Sequence, residues 1–464
     1  MLYPLIERPR RGPTPRSRER GVTLALVALA MFGVIAMAAL SIDVGTLYQA
    51  NAEAQRSADA AALAGARVLS MSGMTGDPTN SSGLWGTACA TAQDAATAVA
   101  KQNLVGGTAP AATVTFLATD GTNCASQGGA FGVNPEVTVK VIQATLPTFF
   151  ARIFGRTGSS VSASATAEAF NPSASQAVTG SDLIPVQPRC VKPWIIPNVN
   201  PGVGAGSAPF VSFVDGTIGR PGIITNGTGI GAGVIGETLT LSADCLGTGT
   251  TCNSGPTWVN NPVTLATAGN LPYVPGQVLG APVAIPSCAN GNAYQQAIGG
   301  CDQTSPYQCG VQTGNSATTT FVNLNENPIV SGDTSLAVQC LIYQSAGAPD
   351  FLKTDVYPYE IEAGAGNPLG VNGKVVTSSN SIVTLPIYDT SAPGLGVLHP
   401  NASNQVPVNI VGFLQVFLGQ VGGSNSQPIT ILNVAGCGNG INTIVSSQPV
   451  NGTSPVPVRL ITSP

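Results

Sequence analysis

Charged side chains are scarce in this chain. Asp, Glu, Lys and Arg make up 9% of its 464 residues, against roughly 25% in ordinary soluble domains. Aromatic residues reach 5%, and a single histidine, His399, is present. Each shortage removes a class of function. A Ser-His-Asp device would have to be built on His399, which lies beside Pro400 in a predicted loop, and no G-x-S-x-G elbow supplies its nucleophile. With no C-x-x-C pair and one imidazole, the usual zinc ligand sets are out of reach, so neither a metal nor another cofactor is expected. Cations are also thin in the body of the chain. Removing the six arginines and two glutamates of the first twenty positions from 18 basic and 22 acidic residues leaves a formal charge of about −8. Such a scattered, mildly acidic exterior offers no basic patch to nucleic acid. The pattern predicts a protein that is not an enzyme.

The basic charge that does cluster sits at one end. Arg8, Arg10, Arg11, Arg16, Arg18 and Arg20 precede the uncharged run Gly21 to Ile42. As a helix rising about 1.5 Å per residue that run spans roughly 33 Å, enough for a hydrocarbon core of about 30 Å. Flanking arginines hold their end in the cytoplasm, so the expectation is one crossing with the bulk of the chain outside. Two other readings compete. Ala36-Met37-Ala38 is an A-x-A pattern after an apolar core, which a secretory signal also shows; cleavage there would release a secreted or surface β-rich adhesin. Arg20-Gly21-Val22-Thr23-Leu24 resembles a prepilin leader site, which would make a minor pseudopilin. Type IV prepilins carry Glu at the fifth position after the cut, where this chain has Leu26.

Strong helix formers continue from Leu47 to Leu69, with no Pro and one Gly, so the membrane helix is predicted to run on into the next compartment. Ala50, Ala54, Ala58, Ala62 and Ala66 recur every four residues and make a smooth helix-packing ridge that another backbone can approach closely. Either the chain's own outer domain or the helix of a partner, a helix-mediated oligomer included, could fill it. Gln55 and Asp59 stand one turn apart, at hydrogen-bonding distance on a helix.

Arg20-Gly21, a long apolar helix, Asp43-Val44-Gly45, Tyr48, Gln55, Ala58-Asp59 and Ala60-Ala61-Ala62-Leu63-Ala64-Gly65-Ala66 together resemble the N-terminal region of the TadE/TadG-like tight-adherence (Flp) pilus assembly proteins. The resemblance covers about fifty residues and makes Asp43, Gly45, Tyr48, Gln55 and Asp59 the family signature. It implies a bacterial inner-membrane protein with its bulk in the periplasm, and other pilus-assembly or secretion proteins as partners. Some TadG-like members carry a von Willebrand-type D-x-S-x-S metal site. Asp333-Thr334-Ser335-Leu336-Ala337 and Asp389-Thr390-Ser391-Ala392-Pro393 each stop one hydroxyl short of it. Cys190-Val191-Lys192-Pro193-Trp194 and Gly412 to Phe417 look like larger members with a β-rich extension.

The rest of the chain, rich in its 56 Gly and 36 Pro, favours strands and turns. The expected fold class is α+β: a basic tail (1–20), a transmembrane helix (21–42), a small α+β unit (43–170), a Ser/Ala-rich linker (171–185) and a mainly antiparallel β-domain (186–464). In the small unit a helix is predicted over Thr87 to Leu104, strands over Ala111 to Ala118, Glu136 to Gln143 and Val161 to Ala169, and a short amphipathic helix from Phe149 to Gly155. Further strands are predicted at Phe210 to Val214, Thr238 to Ser242, Val338 to Tyr343, Ser381 to Tyr388, Val406 to Phe417, Pro428 to Val434 and Val456 to Thr462. Ten cysteines in an exported chain read as disulfides. Cys89 and Cys124 alone precede the linker and are expected to pair. Short loops favour Cys245 with Cys252 and Cys301 with Cys309 among the 105 pairings of the remaining eight.

Overall fold

A computed structural model describes residues 19–76, 83–116, 134–155, 158–171, 186–202, 208–212, 216–224, 233–243, 269–276, 291–301, 307, 320–323, 332–390, 405–408, 410–422, 426–437, 450–452 and 454–461. Helix α1, Glu19–Met71, is unbroken over 53 residues, about 80 Å at helical rise. It is the single described helix long and apolar enough to cross a membrane, and its apolar window packs against no protein. Where alanine replaces the larger apolar residues, the same helix becomes the spine of a packed unit. Helix α2, Trp85–Gln102, lies against it, and strands β1 (Ala111–Phe116), β2 (Glu136–Leu146) and β3 (Ser159–Ala169) form an antiparallel sheet beneath both. The sheet face is set by simple alternation: Val137, Val139 and Val141 on β2 are fully buried while their neighbours are not.

The remaining elements are shorter. Strands β4 (Val186–Pro188), β5 (Trp194–Pro197), β6 (Thr238–Ala243) and β7 (Asn270–Pro275) precede helix α3 (Ala293–Gly299). Strand β8 (Thr320–Asn323) and helix α4 (Asp333–Leu341) follow, then β9 (Phe351–Lys353), β10 (Glu360–Glu362), β11 (Val375–Val376) and β12 (Ile382–Tyr388). The chain finishes with β13 (Gln405–Val408), β14 (Ile410–Leu418), β15 (Ser426–Gly436), β16 (Val450–Gly452) and β17 (Val458–Ile461). Six of these strands close into a barrel in the order β12-β14-β15-β6-β7-β5. Every residue of β14 is buried, which is why its sequence reads as a nearly continuous apolar run rather than an alternating one.

Mixed helices and largely antiparallel sheets make the chain α+β. Three local expectations need correction. Val338 to Tyr343 falls on the end of α4, not a strand. The buried positions Thr334, Ser335, Ala337, Val338 and Leu341 repeat at helical spacing once the residues before Val338 are included. Phe210 to Val214 is reduced, among its described residues, to a single bridge between Val211 and Ile218. The single strand expected over Val406 to Phe417 is divided between β13, which pairs with β8, and β14 in the barrel. The barrel itself is mainly antiparallel, as expected, with β5 parallel to β12 and β6 parallel to β7.

The two halves are stitched twice. Strand β17 returns to the first sheet and pairs antiparallel with β3, from Val458 opposite Ala169 to Ile461 opposite Thr166. At the other place, α1 ends inside the barrel's shoulder. Gly73 turns the chain at φ 73°, a conformation suited to glycine, and a Cβ there would sit 2.7 Å from Ile235. The side-chain amide of Asn433 on β15, itself fully buried, donates to the carbonyl of Ser70 at 2.6 Å. That bond satisfies one of the carbonyls a helix end leaves open. A continuous apolar core therefore runs from Ala50 on the stem through Ile235 to Val456.

Candidate functional site

Asp43, the first residue of the expected signature, lies where the stem leaves its apolar run. Asp43 is 4% exposed although it follows the exposed Ile42 directly. Its Oδ1 accepts the backbone N–H of Phe149 at 2.9 Å, and its Oδ2 accepts those of Phe150 at 3.0 Å and Ala151 at 2.6 Å. These donors open the short 3-10 turn Ala151–Phe154, which ends at Gly155 in the left-handed region (φ 83°). Successive N–H groups at such a turn form a concavity suited to an anion, and here the chain fills it with its own carboxylate. Burial opposes the charge, but the N–H groups of Ala151, Phe149 and Phe150 outweigh it and hold the carboxyl below its usual range. The connection between β2 and β3 is thereby tied to the first polar residue past the apolar run.

A second tie lies farther along. Glu53 Oε2 accepts the backbone N–H of Gly106 at 2.8 Å, just beyond α2, and this bond together with Gln49 holds the Glu53 carboxyl low. Gln55 donates to Asp59 Oδ1 at 2.7 Å and to the carbonyl of Ser164 on β3 at 3.4 Å. Tyr48 and Gly45 are different: Tyr48 is 74% exposed, and a Cβ on Gly45 would meet nothing within 4 Å. Both face away from the domain.

All five ridge alanines are buried. Helix α2, which packs on α1, carries its own four-residue series Ala88, Ala92, Ala96 and Ala100, also fully buried. Small side chains let the two helix backbones come close, as Ser57 and Gly65 show. Ser57 Oγ donates to the carbonyl of Ala100 across the seam at 3.2 Å. A Cβ on Gly65 would sit 3.0 Å from Val137 and 3.3 Å from the carbonyl of Ala92. The five alanines are part of the chain's own buried core cluster.

A cavity of about 560 Å³ opens between the outer end of α1 and the barrel, lined by Arg67, Ser70, Lys192, Ser379, Gln415 and Ser454 among others. Its described lining carries two cations and no carboxylate. Lys192 is 4% exposed, its Nζ donates to the carbonyl of Gly300 at 2.6 Å, and burial pulls its pKa down to about 7. Buried Gln415 donates to Ser454 at 3.0 Å while its Oε1 has no hydrogen-bond partner among the described residues. This arrangement can solvate a small polar or anionic group. Among its described lining residues no nucleophile is seen hydrogen-bonded to a base.

Cys190, at the cavity wall, is joined to Cys301 across 111 residues. That corrects the pairing of Cys301 with Cys309. The reason is topological: Trp194, four residues past Cys190, donates its indole N–H to Tyr294 on α3 at 2.9 Å, and this contact brings the end of α3 to the start of β5. Cys89 on α2 and Cys437 are buried and disulfide-bonded, and Cys340, partly exposed, is disulfide-bonded as well. Cys124, Cys245, Cys252, Cys309 and His399 lie outside the described residues. Asp333, from the first truncated D-x-S-x-S, instead accepts the side-chain amides of Asn292 at 3.0 Å and Gln295 at 3.1 Å. It clamps α3 to α4, while Thr334 shares hydrogen bonds with Tyr273 and Tyr294. Among the described residues no group of His, Cys, Asp and Glu has the geometry to hold a metal.

Sequence reasoning found Asp43 and the Gln55–Asp59 pair but missed Asn433 and Lys192, whose partners are 363 and 108 residues away. No curated protein and no solved structure matches the chain. A family model described as putative Flp pilus-assembly TadE/G-like matches residues 21–68, a segment holding the apolar stem, Asp43, Tyr48, Gln55, Asp59 and all five ridge alanines.

Proposed function

We propose that this chain is a non-enzymatic, single-pass anchor of the tight-adherence (Flp) pilus assembly apparatus. Residues 1–20 stay in the cytoplasm, 21–42 cross the inner membrane, and the unit from 43 to 170 with the β-rich part from 186 to 464 stands in the periplasm and scaffolds partner proteins. The match over residues 21–68 supports involvement in Flp pilus assembly. The observation that carries the anchoring role is the unbroken helix Glu19–Met71. Its apolar stretch and its alanine-ridged stretch are one rod, so whatever fixes the stem also fixes the outer domain. Asp43 strengthens that coupling by binding the β2–β3 turn at the root of the rod.

The same helix bears on the alternative of a released adhesin or pseudopilin. A peptidase needs extended backbone, and Ala36-Met37-Ala38 lies within the continuous helix. N-terminal sequencing of the mature protein separates the readings. A chain that keeps its start and sediments with membranes after alkaline washing supports the anchor. A start at residue 39 supports secretion, and a start at residue 22 supports pilin-like processing. Cells lacking the chain should also lose Flp pili, and normal piliation without it sinks the assembly role.

A further inference from the structure

The tie between Asp43 and the β2–β3 connection fixes more than the tilt of the domain. Asp43 is the first residue after the apolar run, so the backbone it holds is placed at the height where the stem emerges. That turn carries a ring and a cation in succession. Phe149 is 60% exposed, and Arg152, three residues on, is exposed as well. On the outward side of α1, Tyr48 is 74% exposed. It lies five residues past Asp43, roughly 7 Å along the axis, and helical side chains lean toward the N-terminus, which here is the membrane side. Val44, next to Asp43 in the sequence, is exposed as well.

An exposed phenylalanine in water loses the benefit of burial. At a bilayer surface the same set finds a fitting environment. Aromatic rings concentrate at the headgroup level, and a guanidinium can pair with lipid phosphate while its stem stays in the apolar boundary. We propose that the Phe149–Arg152 turn and Tyr48 form a collar that seats the outer domain on the outer-leaflet headgroup boundary, giving the protein a second membrane contact besides its helix. The inference rests on the anchor reading and adds to it a defined standing height of the domain. Leu104 marks the limit of the contact. It is 53% exposed, but it lies beside the Gly106 that Glu53 holds, ten residues or about 15 Å above Asp43.

The test uses the full chain in vesicles of phosphatidylcholine and phosphatidylglycerol, with the phosphatidylcholine brominated either high or deep on its acyl chains. The chain's three tryptophans, of which Trp85 and Trp194 are buried, set the background, which is recorded on the unsubstituted protein and subtracted. Phe149→Trp should add blue-shifted emission that lipid brominated near the headgroup quenches strongly, while Leu104→Trp should add emission that neither lipid quenches. Leu29→Trp, midway along the apolar run, should be quenched by the deep label. Combining Phe149→Trp with Asp43→Ala should weaken the shallow quenching and leave the Leu29→Trp result unchanged. Quenched Leu29→Trp with unquenched Phe149→Trp overturns the collar and keeps the anchor. Unquenched Leu29→Trp overturns both.

Discussion

The stem unit and the barrel bury their cores by opposite means. Along α1 and α2 the fully buried residues are mostly alanine, and the seam closes because side chains are absent: Ser57 reaches the carbonyl of Ala100, and Gly65 has no room for a Cβ. In the barrel the buried residues are large. Trp194, Ile196, Tyr273 and Leu414 pack in one buried cluster, and the polar ends of Trp194, Tyr273 and Tyr294 are satisfied within a network centred on Thr334. The first region gains dispersion energy from backbone proximity, the second from side-chain volume. The stem should therefore be most sensitive to gain of volume, and the barrel to loss of it.

The strongest way to break that contrast is to add volume to the seam. Ala62→Leu places extra carbon atoms at a fully buried position, and over-packing a close-packed interior costs about 1–3 kcal/mol, the upper end applying where backbone faces backbone. Thermal unfolding in detergent should show a marked fall in midpoint. The comparison substitution Ile196→Val in the barrel removes volume instead and should cost about 1 kcal/mol. An Ala62→Leu protein that melts no earlier than Ile196→Val would show that the seam is loose.

The same contrast explains which parts the sequence discloses. Strands β1, β2 and β3 and helix α2 are found within a few residues of their predicted ends, because each carries its own period and meets neighbours close along the chain. The Gln55–Asp59 bond is legible for the same reason, being set by one helical turn. The barrel hides its logic. Buried on both faces, β14 loses the alternation that identifies a strand's inner side, and α4 hides its period behind hydroxyl residues that bond to distant tyrosines. The Cys190–Cys301 link, the Asn433 cap and the return of β17 to the first sheet all depend on long loops closing, which local pattern does not encode.

A smaller effect sharpens the barrel's side of the comparison through pH. Lys192 titrates near 7 in the folded protein against an ordinary value of 10.5. Between those values the unfolded chain binds more protons, so raising the pH through this window stabilises the fold, with a slope on the order of 1 kcal/mol per unit at most. Below pH 7 both states carry the proton and the contribution is flat. Denaturation midpoints should rise between pH 7 and 10 in the wild type and rise less in Lys192→Met. Equal slopes in the two proteins would remove the buried lysine from the explanation.

The smallest effect concerns the seam between the two regions. Arg459 on β17 pairs with Glu168 on β3 and lies 4.9 Å from the ring centroid of Phe170. The arginine is 38% exposed in its side chain, so solvent screens the pair and its share is about 0–1 kcal/mol, with a similar amount from the ring contact. Arg459→Ala should therefore barely move the global midpoint. Its effect should appear locally, as faster hydrogen exchange at the amides of Val458 to Ile461 with β2 unchanged. The asymmetry has a physical cause: β17 meets the sheet only along β3, whereas β2 is held between β1 and β3 and its valines lie under the helices. If exchange on β2 accelerates equally, stem unit and barrel open as one cooperative body, and the division between a volume-poor and a volume-rich core describes packing alone rather than separable stability.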